Sequence, residues 1–148
     1  MRVNKRKMAD DRIEQIISSL KVKNKDALNA LFSNKALSES NDFDDEVDRL
    51  FEFMKGNITS WKREGGVDSD ESAEQGKKSL MLRYSILIST DIDDYCVFVI
   101  DYNTDTIDKD NEGIYMLEIS KQSYHGDWAP WQERMFPGIS IIEWYEDN

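Results

Sequence analysis

Apolar residues recur at helical spacing in the first third of the chain and at alternate positions in the rest. Within Ala9–Leu20, the residues Ile13, Ile16, Ile17 and Leu20 share one face and predict a helix. Asp10 and Asp11 open it, where the helix dipole favours negative charge. Asn24 is placed to cap a second short helix that turns Ala27, Leu28, Leu31 and Phe32 inward. Ser38-Glu-Ser-Asn-Asp is a polar break. A third helix is predicted over Asp44–Lys55, preceded by Phe43, with Val47, Leu50, Phe51 and Met54 on its apolar face and Gly56 ending it.

The period then changes to two. Asn57–Arg63 reads as a strand carrying Ile58 and Trp61, broken by Gly65-Gly66, and Val67–Gly76 reads as a solvated loop. In Ser79–Thr90, the residues Leu80, Leu82, Tyr84, Ile86 and Ile88 fall on one face of a long strand. Asp91–Asp94 forms a turn. Tyr95–Tyr102 is apolar enough to be a central strand, Asn103–Gly113 is a polar hairpin loop, and Ile114–Ser120 is a third strand in this series. His125–Gly138 is irregular and Ile139–Trp144 is a final edge segment. Helices first and strands afterwards predict an α+β domain in which N-terminal helices cover one face of a long, strongly twisted antiparallel sheet. The expected organisation is a basic disordered tail over residues 1–8 and a single domain over residues 9–148.

Composition changes the picture at one point, the chemistry. Thirty Asp and Glu face nineteen Lys and Arg, a formal net charge of −11, and the chain has one histidine, His125, and one cysteine, Cys96. A Ser-His-Asp triad or a Cys-His nucleophile would have to be built on these singletons. No His/Cys group has zinc-ligand spacing, and no cofactor motif is present, so neither metal nor cofactor is expected. Cys96, inside Tyr-Cys-Val-Phe-Val-Ile, reads as a small buried hydrophobe. His125 with Asp127 has the composition of a base and its orienter, but reads as a surface-loop pair. An acidic body repels nucleic acid, whose binding needs neutralised phosphates. The aromatic fraction of 11% argues against disorder. No apolar run is long enough to span a bilayer, and no apolar region follows the basic start, which favours a cytoplasmic location.

Three sets of residues are candidates for binding. The first is acidic: Asp68, Asp70, Glu71 and Glu74 in one predicted loop, and Asp91, Asp93 and Asp94 in a turn at the other end of the long strand, able to steer a basic partner. The second is aromatic: Trp61, Tyr84 and Phe136 as walls of a pocket, and Trp128 and Trp131 beside Pro130 as interface anchors. The third, Asp108-x-Asp110-x-Glu112-Gly113, imitates the start of a calcium loop, but Ile119 stands at the twelfth position where such loops carry Glu, so it reads as turn chemistry.

Several segments carry a resemblance: Ala30-Leu-Phe-Ser33, Leu50-Phe-Glu-Phe-Met-Lys-Gly56, Ile58-Thr-Ser-Trp61, Asp108-Lys-Asp-Asn-Glu-Gly113 before Ile114-Tyr-Met-Leu117, and Phe136-Pro-Gly-Ile139. In their order and spacing, over about residues 10–142, the chain resembles a family of small, mostly uncharacterised bacterial proteins. Many of these are Gram-positive lipoproteins, within the nuclear-transport-factor-2-like cone superfamily, which also includes cone-fold immunity proteins. The resemblance implies helices closing over a bent sheet. Together with the charge, it implies a non-catalytic immunity protein that neutralises a basic, nuclease-like toxin by occluding its active site. The alternative is a small-ligand-binding domain of an extracytoplasmic lipoprotein-like protein, with a leader already removed and a cavity lined by Trp61 and Tyr84. An enzyme assisted by His125 is the weakest reading. A homodimer is compatible with all three.

Overall fold

The computed structural model describes residues 3–123 and 135–143. Four helices come first: α1 (Lys5–Lys21), α2 (Lys25–Asn29), α3 (Asn34–Glu39) and α4 (Phe43–Phe53). Five strands follow: β1 (Ile58–Glu74), β2 (Lys77–Thr90), β3 (Asp94–Asp105), β4 (Gly113–Lys121) and β5 (Gly138–Ile141). They form one open sheet in the order β1-β2-β3-β4-β5. The fold is α+β, as the segregation of periods predicts, and cone-like, as the resemblance implies. The sheet is mixed rather than antiparallel, because β5 runs parallel to β4.

Each helix starts on a side-chain cap. Asn4, Asn24, Ser33 and Asp42 accept from the backbone N–H three residues on, which satisfies one of the free donors of a first turn. Asn4 moves the start of α1 forward. Lys5, Arg6 and Lys7 therefore belong to a helix, not to the disordered tail expected over residues 1–8. The predicted second helix ends early, at Asn29, and α3 follows where no helix is expected, because the chain between them pairs with β4. Ser33 N–H donates to Ile114 O, and Ile114 N–H donates to Leu31 O, both at 2.9 Å. Gly113 permits this approach. Its φ is +125°, and a Cβ there would lie 2.7 Å from Ser33 N.

The largest departure from expectation is β1. Gly65-Gly66 does not end it. Glu64 pairs with Ser85 and Asp68 with Arg83, so residues 65–67 bulge opposite Tyr84 and the ladder resumes. The predicted solvated loop is the distal half of this strand. Its turn is the two residues Gln75 and Gly76, at φ +51° and +80°, a geometry that matches the twist of the paired strands.

Alternation divides the sheet. Leu82, Tyr84, Ile86 and Ile88 of β2, Val97 and Val99 of β3, and Leu117 and Ile119 of β4 face the helices. There they pack with Ile13, Ile16, Leu28, Val47 and Leu50. Met81, Phe98, Ile100 and Met116 form a smaller cluster on the opposite face, with Tyr102 and Phe136 against it.

The helix-facing core contains one carboxylate, Asp101, with no exposed surface. Its Oδ2 accepts from Arg12 Nε of α1 at 3.0 Å and from the Tyr84 hydroxyl at 3.3 Å. Burial foremost, then the Asp101 charge, pushes the Tyr84 hydroxyl well above its ordinary pKa, so it stays a donor. Asp10–Arg63 at 2.9 Å and a Lys5–Glu71 pair tie the same helix to β1. Removing one member of a buried pair leaves an uncompensated charge. Arg12→Ala is therefore expected to destabilise the fold by about 3 kcal/mol, and Tyr84→Phe by about 1 kcal/mol. Urea denaturation of both variants checks the order.

Candidate functional site

Acidic side chains dominate the surface, and the elements sort them. On β1, alternation splits the first predicted cluster between two faces. Glu71 points to the helix side and pairs with Lys5. Asp68, Asp70 and Glu74 have the opposite parity, and Asp70 meets Arg83 of β2 at 3.2 Å. All four are exposed.

The second predicted cluster sits at the β2–β3 turn. Two of its carboxylate oxygens serve the backbone. Asp91 Oδ1 accepts from Asn57 N–H at 2.6 Å and Asp93 Oδ1 from Asp94 N–H at 2.9 Å, while Lys121 Nζ lies 3.6 Å from the other Asp93 oxygen. The two clusters lie towards opposite ends of β2, as expected from a hairpin, about 25 Å apart at their nearest members, since Asp68 stands opposite Arg83.

A third and denser acidic segment was not singled out in the sequence. Residues 39–48 hold six carboxylates and no cation: Glu39, Asp42, Asp44, Asp45, Glu46 and Asp48. The signal was the run itself, hidden because Asp residues at a helix start are read as caps. Asp42 is indeed the cap of α4, accepting from Asp45 N–H. Asp44 and Asp48 bracket Lys25 at 2.8 and 2.9 Å, and Asp45 pairs with Arg49. The hydrogen bonds that the half-buried Lys25 donates to Asp44 and Asp48 raise its pKa.

Beside this segment a cleft of about 800 Å³ opens between α4 and β5. Phe53, Ile139 and Ile141 supply apolar surface, and Arg49, Glu52, Lys55, Lys121 and Glu143 supply charge. The half-buried Glu46 closes one side. Its Oε1 accepts from Ile139 N–H at 2.8 Å and sits 2.4 Å from where a Cβ on Gly138 would be. Gly138, at φ +95°, is thus the residue that lets β5 approach α4. Burial raises the Glu46 pKa, against the lowering effect of the Ile139 amide.

The aromatic pocket expected from Trp61, Tyr84 and Phe136 is not assembled. Tyr84 is core, Trp61 is half-buried against the helix-side core, and Phe136 packs on the other face of the sheet. Trp128, Trp131, His125 and Asp127 lie outside the described residues. Cys96 is buried, and desolvation pushes its thiol up to about 11. In the segment that imitates a calcium loop, Asp108 accepts from Asp110 N–H, Asp110 from Asn34 and Glu112 from Lys109. Asp105 accepts from the amides of Ile107 and Asp108 and from the Asn111 side chain. These bonds hold its carboxyl below the usual range. The acids of this loop build a turn.

A family model described as a domain of unknown function, DUF5104, matches residues 15–122. The chain belongs to the DUF5104 family. No curated protein matches it. The DUF5104 match runs from within α1 through β4, so it contains Asp101, the acidic half of β1 and the whole of α4. Arg12 and β5 lie outside it.

Glu46 gives this DUF5104 chain a testable pH response. A carboxyl whose pKa rises on folding favours the native state when protonated, and that contribution fades as pH climbs through its folded value. Glu46→Gln keeps an oxygen for Ile139 N–H and removes the charge. The variant is expected to melt above the parent near pH 7, with the gap closing near pH 4. Thermal melts at the two pH values check this.

Proposed function

We propose that this DUF5104 chain is a non-catalytic acidic binding protein of the immunity class, which neutralises a basic, nuclease-like protein by covering its active surface. The observation that carries the reading is the excess of acid over base. Among the described residues nine lysine and arginine side chains are held in intramolecular ion pairs. Pairing leaves the net charge of −11 unchanged, so the surface as a whole presents more carboxylate than cation to a partner. Fields of this kind raise association rates with a basic partner and disfavour wrong ones. The densest carboxylate segment, residues 39–48, is fixed on α3 and α4, which makes it a preformed surface. The cone-like fold is compatible with a nuclear-transport-factor-2-like relationship, and we include that relationship in the proposal. No described helix is long and apolar enough to cross a membrane. A cytoplasmic location is part of the proposal.

The test is titration of the purified chain against the basic protein encoded beside it, with the partner's hydrolytic activity as the readout. Stoichiometric inhibition is expected. Affinity should fall by at least about tenfold between low and physiological salt, and Asp44→Lys with Asp45→Lys should slow association. Absence of binding, or binding that ignores both salt and these substitutions, overturns the reading.

The α4–β5 cleft favours a second reading as a small-ligand site, since its volume is that of a ligand pocket and its lining mixes apolar and charged groups. The charged groups of both signs suit a zwitterion. Ligand-induced stabilisation that is lost in Phe53→Ala would support it.

A further inference from the structure

The sheet ends on β1, and among the described residues no strand pairs with its outer side. The two-residue turn makes Glu74 and Lys77 the first hydrogen-bonded pair of the hairpin. Bonded and non-bonded pairs alternate from there. Ser72 and Asp70 therefore bond inward to β2, and the N–H and C=O groups of Ala73, Glu71 and Ser69 point away from the sheet. This part of β1 is exposed over nearly its whole length. It is a template for strand addition.

Building on the acidic-partner reading above, we propose that this edge is the docking element, and that its occupant is an extended basic segment of the partner protein, added as a sixth strand beside Asp68–Glu74. Charge selects that occupant. Residues 67–74 contain four carboxylates and no cation, and an added strand meets the β1 side chains first. Arg83 and Lys77 lie on β2, about 10 Å away from the position of such a strand. Lys5 answers Glu71 on the helix side only. A second copy of β1 on this edge would set carboxylate against carboxylate, which is destabilising for directly opposed residues. A strand with lysine or arginine at alternate positions would place each cation between Asp68, Asp70 and Glu74. The bulge at residues 65–67 ends the docking stretch, because it kinks the edge and interrupts its regular spacing.

The experiment is backbone amide hydrogen exchange on the full chain at low salt, with a synthetic peptide of alternating lysine and valine as probe. A peptide of the same length with proline at alternate positions, which cannot pair, is the control. The amides of Ser69, Glu71 and Ala73 are expected to exchange quickly in the free protein and to slow by at least about tenfold with the probe, but not with the control. Ala73→Pro removes an outward N–H and leaves the ladder to β2 intact, as proline is tolerated on such edges. It should abolish the protection while the melting temperature holds. The exchange pattern of the parent protein decides the matter even if that variant folds poorly.

Equal affinity for probe and control, without protection on β1, overturns strand addition and leaves the acidic-partner reading standing. Failure of both peptides to bind at low salt overturns the acidic-partner reading, and this inference with it. Slow exchange of the three amides in the protein alone, appearing with rising concentration, would mean a second copy as occupant and overturns the basic partner.

Discussion

Everything on the helix side of the sheet is organised around one buried carboxylate. Asp101 sits on the central strand β3, on a face otherwise built of Val97, Val99 and their aliphatic neighbours, and none of its surface reaches solvent. A lone charge there would be prohibitive, so the fold is viable only in the arrangement that brings Arg12 to it. The apolar stripe of α1, Ile13, Ile16, Ile17 and Leu20, would pack against this surface in several neighbouring registers with similar loss of water-exposed area. The 3.0 Å contact from Arg12 selects one. Tyr84 occupies the same oxygen from β2, which links three elements through one atom. Asp10–Arg63 and Lys5–Glu71 then fix the rotation of the helix against β1. None of these pairs has to add much net stability to matter. They decide which packed state is reached.

The opposite end of the sheet is held by a different device, backbone groups answered by buried side chains. The Tyr95 hydroxyl lies 2.8 Å from Lys55 N and 3.4 Å from Phe53 O, at the C-terminal end of α4. Its ring makes an edge contact with Phe53 at 5.5 Å. Glu46 answers Ile139 N–H on β5 from about two turns nearer the start of the same helix. Helix α4 thereby bridges the β2–β3 turn region and the parallel edge strand, and the cleft between α4 and β5 follows from that bridge. Gly138 sets its width, since any side chain would displace the Glu46 carboxylate.

The sequence showed the elements that carry their own periodicity and concealed those that depend on distant partners. Ile13 to Leu20 and Leu80 to Ile88 announce a helix and a strand by spacing alone, and Asn24 announces a cap that the structure contains. Gly65-Gly66 misleads because glycine weakens a lone strand, whereas here β2 supplies a ladder on both sides of the bulge. The basic start reads as a tail because no apolar residue follows Asn4 in the first turn to mark a helix there, and because Glu71, the ion partner of Lys5, lies far along the chain. Asp101 closes the apolar run of Tyr95–Ile100 and so looks like a strand end, and its partner lies 89 residues earlier. The candidate site was legible as charge and illegible as geometry. Four acids close in sequence suggest one patch, but once the segment is a strand they divide between its two faces.

That division bears on how so acidic a chain remains folded. Excess charge of one sign strains a compact state by self-repulsion, and the structure limits this by spacing. The distal half of β1 and the β2–β3 turn are about 25 Å apart at their nearest along β2, about three times the screening length of about 8 Å at physiological salt. They do not repel each other appreciably. Each cluster is still a concentrated local field, answered in part by cations of the same chain, Lys25 between Asp44 and Asp48 being the clearest case. A solvating coat would need no such arrangement, since scattered acids of either parity would keep the protein soluble. Carboxylates fixed on helix α4 and on a free sheet edge form a surface whose shape and charge are set before any partner arrives. Preorganisation of this kind lowers the cost of ordering side chains on binding, and it supports reading the acidity as recognition.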